Sequence, residues 1–223
     1  MVSSNIGSGI GSYLRKQSLL SNYEQYRPQI KTGDVIGFSG NAGFSKFIRW
    51  STGSIYSHVG IVLNVNLSSG GEDSVLIVES RTETQGKDAA GAKLMKGVQL
   101  HWLSKRILGF DGAAWLFPLK QPLSPDGAAK MQAWLRQTNN KIVSYDSVQT
   151  LGAGLDMFDK VGLTRSNEDL STLFCSELVS KALQIAGVVD PQLNPSEQTP
   201  GDVVNYPIYS KPIQFKSDSD PVS

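Results

Sequence analysis

A chain of 223 residues is long enough to bury one well-packed domain and short of what two comfortable ones would need. Its net charge of +1, with 18% charged residues, gives no basis for recruitment to nucleic acid or acidic lipid by bulk electrostatics. The single cysteine rules out an intramolecular disulfide framework, and no run approaches the ~20 apolar residues that span a bilayer.

Met1 to Leu20 is rich in Ser and Gly and lacks the basic start and continuous apolar core of a secretory signal. On that ground we expect a soluble, cytoplasmic protein without integral membrane association, export by another route being left open. Residues 1–30 read as an N-terminal arm whose Tyr13, Leu14, Leu19, Leu20, Tyr23 and Tyr26 can pack on a body. A membrane-surface helix is the sharper alternative for this arm, but its basic face is sparse. The turn signal Thr32-Gly33-Asp34 leads into a short strand from Val35 and then a loop bearing Gly and Ser. Phe44, Phe47, Ile48 and Trp50 follow at helix-like spacing. They are ordinary core by chemistry, while Phe44 and Trp50 also stand as candidates to wall a substrate groove.

Ser57 to Leu63 reads as a strand with His58 near its start, and with Val59, Ile61 and Leu63 on the face opposite His58 and Val62. Gly60 removes a side chain beside the histidine. A Gly/Ser/Asp turn leads to a second strand, Ser74 to Ser80, completing an antiparallel hairpin. Glu79 lies in the β-rich run of that strand, where a carboxylate needs a partner. The charged stretch from Arg81 to Lys96 reads as a surface excursion. Val98, Leu100 and Trp102 then alternate with Gln99 and His101, which makes His101 a solvent-side residue ranked below His58. A strand follows from Ala113 to Leu119, and Ser124-Pro125-Asp126 starts a helix with Ala128, Met131, Trp134 and Leu135 on its apolar face.

Gly152-Ala153-Gly154 lacks the continuation of a phosphate-binding loop, and two histidines with one cysteine match no zinc spacing. We therefore expect no metal and no cofactor. The cysteine lies in Phe174-Cys175-Ser176-Glu177-Leu178-Val179, where Leu178, Val179, Ala182, Leu183 and Ala186 form one helical stripe ending at Gly187. Asn167, Ser171 and Thr172 are possible caps, so the helix is expected to start shortly before Cys175. Near a helix N-terminus a thiolate and an oxyanion are both favoured. A lone cysteine in an apolar helix is more commonly a small buried hydrophobe, and that reading stands beside the nucleophile. Pro191, Pro195 and Pro200 make an extended linker; Gly201 to Val204 reads as a last short strand or helical turn, and the chain from Lys216 as a polar end.

Taken together, Thr32-Gly33-Asp34-Val35, Tyr56-Ser57-His58-Val59-Gly60-Ile61-Val62, Val78-Glu79-Ser80, Tyr145-Asp146 and Phe174-Cys175-Ser176-Glu177-Leu178-Val179 resemble the circularly permuted branch of the NlpC/P60 papain-like superfamily. Within it the chain is most similar to the YiiX/YebB-like group, and more distantly to the lecithin retinol acyltransferase group. The resemblance implies an α+β fold of permuted papain type, an antiparallel sheet packed on a helix that carries the nucleophile at its N-terminus. Its expected extent is residues 31–206, between the arm and a tail at 207–223.

The same resemblance implies Cys175 as nucleophile, His58 as general base and acid, and Glu79 as the residue orienting His58. Tyr145 and Ser176, with Trp50 and Phe44, are candidates for oxyanion or substrate contact. The acyltransferase branch places Asn-Cys-Glu-His about its nucleophile, whereas this chain has Phe-Cys-Ser-Glu, which favours the hydrolase-like branch. The implied reaction is amide hydrolysis through a thioester on a small peptide of cell-wall type. Hydrolysis or acyl transfer on lipid or N-acyl substrates, and a non-catalytic binding module, are the alternatives.

Overall fold

The computed structural model describes residues 22–41, 53–66, 73–140 and 167–217. Six antiparallel strands form one sheet in the order β4-β3-β2-β1-β5-β6. They are β1 (Val35–Gly40), β2 (His58–Val65), β3 (Val75–Arg81), β4 (Gly97–Trp102), β5 (Gly112–Phe117) and β6 (Ile213–Lys216). Helices α1 (Leu103–Leu108), α2 (Pro125–Asn140), α3 (Asn167–Ile185) and α4 (Pro200–Val204) cover it. This is an α+β architecture, as the order of strands and helices in the sequence implies.

Two apolar layers sandwich the sheet, and strand alternation assigns each residue to one of them. Val35, Val59, Ile61, Leu63, Val78 and Phe117 pack with Met131 and Leu135 of α2, with Leu178, Val179 and Leu183 of α3, and with Val203 of α4. Their odd-even neighbours Ile36, Phe38, Val62, Ile77 and Leu116 pack with Leu103 and Ile107 of α1 and with Tyr23, Ile30 and Phe215. Because both faces are covered, Val59 through Leu63 is buried without interruption, and β2 lacks the apolar/polar alternation of a half-solvated strand. Each of its large aliphatic side chains contributes about 1.5–3 kcal/mol by leaving water.

Short local devices fix the connections. Asp34 accepts the Lys31 amide at Oδ2 and the Leu119 amide at Oδ1, tying the entry of β1 to the exit of β5. Gly112 pairs with Gly40 at φ +137°, and a Cβ there would stand 2.1 Å from the Ser39 carbonyl oxygen, so this position requires glycine. Thr199 and Asp202 form a reciprocal capping box that resolves the Gly201–Val204 stretch as the helix α4. Gly187, at φ +77°, ends α3 as the sequence indicates.

Three features depart from the sequence reading. Helix α1 is absent from the sequence reading; it follows β4 directly and lies in the apolar layer of Ile36, Phe38 and Ile77. Strand β6 falls within the stretch read as tail, and it pairs with β5 because Phe215 and Lys216 are fully buried there. Helix α3 already includes Asn167, so Cys175 lies about two turns inside it instead of at its N-terminus. The sequence from Asn167 to Cys175 contains no Gly or Pro that would interrupt a helix, so the helix is not confined to a start at Ser171 or Thr172.

Candidate active site

The site is built at the start of β2. His58 is the first residue of that strand, and the β2–β3 register, Ile61 opposite Val78, brings Glu79 alongside Gly60. A Cβ on Gly60 would sit 3.4 Å from the Glu79 Cβ and 3.3 Å from the Val78 carbonyl oxygen. Its absence leaves room above the strand for His58 and Glu79 to meet diagonally. His58 Nε2 lies 2.6 Å from Glu79 Oε2. The Phe38 ring, 5.7 Å away between centroids, backs the imidazole.

The other carboxylate oxygen is also occupied. Arg106, from α1, donates its Nε–H to Glu79 Oε1 at 2.7 Å, and the guanidinium carbon lies 4.6 Å over the Phe38 ring and 4.7 Å over that of Phe110. Glu79 is fully buried and Arg106 nearly so. Burial by itself would raise the Glu79 carboxyl, but the charges of Arg106 and Arg81 and the hydrogen bond from His58 overcome it and hold Glu79 well below the usual carboxylate range. Burial draws the His58 pKa down, opposed by Glu79 and reinforced by Arg106 and Arg81. An ionised carboxylate can only accept, so His58 carries its proton on Nε2 and keeps Nδ1 as the basic nitrogen.

His101 is not the solvent-side residue its alternation implied. Its side chain is 12% exposed, with Nε2 3.8 Å from Glu79 Oε1 and 3.0 Å from Gln99 Oε1. The face it shares with Gln99 is covered because Gln99 donates to the Glu83 and Met95 carbonyls of the 81–96 excursion.

Cys175 approaches β2 from the opposite layer. It is fully buried with Val59, Ile61 and Leu178, and its sulfur accepts hydrogen bonds from the amides of Val59 and Ser176. The β2–β3 ladder begins at Ile61, so the Val59 amide lies outside it, at the point where the strands part. Burial pushes the Cys175 thiol up to about 12 despite these amide donors. The thiol and His58 thus adjoin consecutive residues of one strand from its two faces. The hydrogen bond of the imidazole through Nε2 goes to Glu79. The Ser176 hydroxyl donates to the Gln198 carbonyl at 2.5 Å. Phe44, Trp50 and Tyr145 lie outside the described residues.

Sequence reasoning missed Arg106 and the burial of His101. The available signal for Arg106 was the unexplained buried carboxylate at Glu79, which called for a cation without saying where it would come from. Among the described residues no group of three or more His, Cys, Asp or Glu side chains is arranged to hold a metal ion. No helix there is long and apolar enough to cross a membrane.

No family model matches the sequence, and no curated protein matches it. Among solved structures the chain is similar to the metalloprotein yiiX from Escherichia coli O157:H7, with 18% identity and a TM-score of 0.47, over 82% of this chain and 96% of that one. A likeness at this level transfers no residue role, and the site stands on its own geometry.

Proposed function

We propose that the chain is a thiol hydrolase that cleaves an amide bond, in a small peptide of cell-wall type, through a thioester intermediate. The observation that carries this reading is the buried His58–Glu79 pair at the start of β2, one residue from the Val59 amide on which the Cys175 sulfur rests. In this reading the described arrangement is the resting form, with the thiol protonated. Substrate engagement turns the imidazole so that Nδ1 takes the thiol proton, and the thiolate attacks the carbonyl carbon. The carbonyl electron pair moves to oxygen, where amide donors beside the sulfur stabilise it. Its return expels the amine, which takes the proton from His58, and leaves the acyl group on Cys175. Water, losing a proton to His58, then attacks the thioester and releases the acid and the thiol.

A second reading is favoured by one observation. A fully buried thiol pushed up to about 12 is what a structural cysteine in a non-catalytic binding module would show. The experiment that separates the two exposes the protein to cell-wall peptide fragments and to N-acyl amides and esters. It follows hydrolysis and looks by mass spectrometry for an acyl adduct on the Cys175 peptide. The hydrolase reading expects turnover lost in Cys175→Ala and His58→Ala. Turnover that persists in Cys175→Ala removes the thiol mechanism, and no turnover on any substrate moves the binding module forward. N-acyl turnover without peptide turnover assigns the lipid-type substrate class.

A further inference from the structure

We propose that Arg106 is a positioning residue: it keeps Glu79 ionised and thereby holds His58 neutral, in the tautomer protonated on Nε2. This deepens the hydrolase reading and rests on it for the catalytic consequence, but not for the electrostatic one.

The argument begins with how firmly Arg106 is placed. Its side chain is 6% exposed, and its guanidinium carbon lies over both the Phe38 and Phe110 rings, which pack edge to face on each other with centroids 4.9 Å apart, leaving Nε directed at Glu79 Oε1. A pair of ring faces beside the guanidinium attracts its charge and closes off other positions for it. Helix α1 itself is pinned at its far end, where the buried Lys216 of β6 donates from Nζ to the carbonyls of Ile107, at 3.1 Å, and Phe110, at 2.5 Å. A cation among the last carbonyls of a short helix offsets their partial charge and fixes the turn that carries Arg106.

Charge counting then gives the consequence. The charged groups acting on His58 are Glu79 and Arg81 on β3 and Arg106 on α1; His101 on β4 faces Glu79, and Glu83 is paired to Arg81 through Nη2. With both histidines neutral, Glu79 balances Arg106 and Glu83 balances Arg81. Adding a proton to His58 would leave a net positive charge in a buried cluster, which is costly. Without Arg106 the balance reverses, because the Glu79 charge can then be compensated by a protonated His58. An imidazolium cannot act as a base. Arg106 therefore preserves the lone pair on Nδ1 by supplying, permanently, the positive charge that the carboxylate would otherwise draw onto the histidine.

The test is a histidine-resolved NMR titration, which two histidines make tractable, with His101→Gln used for assignment. In the parent protein the ring nitrogen shifts of His58 are expected to report the Nε2–H tautomer and an apparent pKa below the ordinary ~6.5. Arg106→Gln and Arg106→Met should raise that pKa by roughly one unit or more, a tenfold change in proton affinity. Arg106→Lys, which restores charge without the planar fork, should return it most of the way. The acid limb of the pH–rate profile should move with the titration.

A folded Arg106→Gln or Arg106→Met protein whose His58 titrates as in the parent overturns the proposal. So does a parent spectrum showing Nδ1–H, a measurement that needs no variant to fold. If the titrations behave as expected while Cys175→Ala retains full turnover, the thiol mechanism fails and the role of Arg106 in setting the His58 charge stands.

Discussion

His58 Nε2 and Glu79 Oε2 stand 2.6 Å apart above Gly60, so the pair depends on a missing side chain as much as on its two partners. Gly60→Ala would place a Cβ 3.3 Å from the Val78 carbonyl oxygen and 3.4 Å from the Glu79 Cβ, close enough to force a small displacement but not a gross clash. The expected outcome is a stability loss of about 1–2 kcal/mol by denaturant titration, together with a disproportionate loss of His58-dependent turnover. Unchanged turnover would show that the 2.6 Å contact is not needed.

Glu79, fully buried, neutralises Arg106, which is nearly so. Removing the carboxylate in Glu79→Ala leaves a buried guanidinium without its counter-charge and should cost about 3–5 kcal/mol of folding free energy. Glu79→Gln keeps an acceptor for Arg106 and should cost less. Urea denaturation of the three proteins ranks them directly, and equal stability of the parent and Glu79→Ala would contradict the buried ion pair.

The Cys175 thiol is pushed up to about 12 by burial, against an ordinary value near 9.0. Its folded pKa is raised, so its contribution to stability is complete below about 9 and is lost as pH rises through about 12. Stability should therefore fall over that window more steeply in the parent than in Cys175→Ala. At pH 8, with no substrate present, iodoacetamide should label the native thiol at least tenfold more slowly than the urea-unfolded chain, because thiolate is scarce and access closed. Equal rates would contradict the burial.

Asp34, also buried, follows the same rule at lower pH. Burial pushes its carboxyl up to about 6 from 3.8, the amides of Leu119 and Lys31 opposing. With the folded pKa raised, the stabilising contribution is full below about 3.8 and disappears as pH rises through about 6. The expected magnitude is about 2–3 kcal/mol. Comparing the stability of the parent with that of Asp34→Asn from pH 4 to pH 7 isolates it, and parallel curves would refute it.

Much of the architecture was legible because it follows from period and punctuation. The short β-rich apolar run from Val59 to Leu63 reads as a strand, and Ser124-Pro125 and Gly187 mark a helix start and a helix end through local backbone chemistry. The His58–Glu79 contact was expected from the family resemblance, and the hairpin made it geometrically possible, because neighbouring antiparallel strands can bring the two residues together. Strand β6 could not be anticipated, because residues 213–216 become a strand only through β5, far back in the chain.

The sequence by itself determined the order of β1 to β5 along the chain, the face of β2 that His58 shares with Val62, and the need of Glu79 for a partner. Only the tertiary structure decided that this partner is Arg106, that His101 joins the same cluster, and that α3 brings Cys175 to the Val59 side of the strand. The physical reason is range. Period and capping act over a few residues, whereas the face against which a helix packs, and the cation that meets a buried carboxylate, are settled by which apolar surfaces cover each other when the whole sheet is closed.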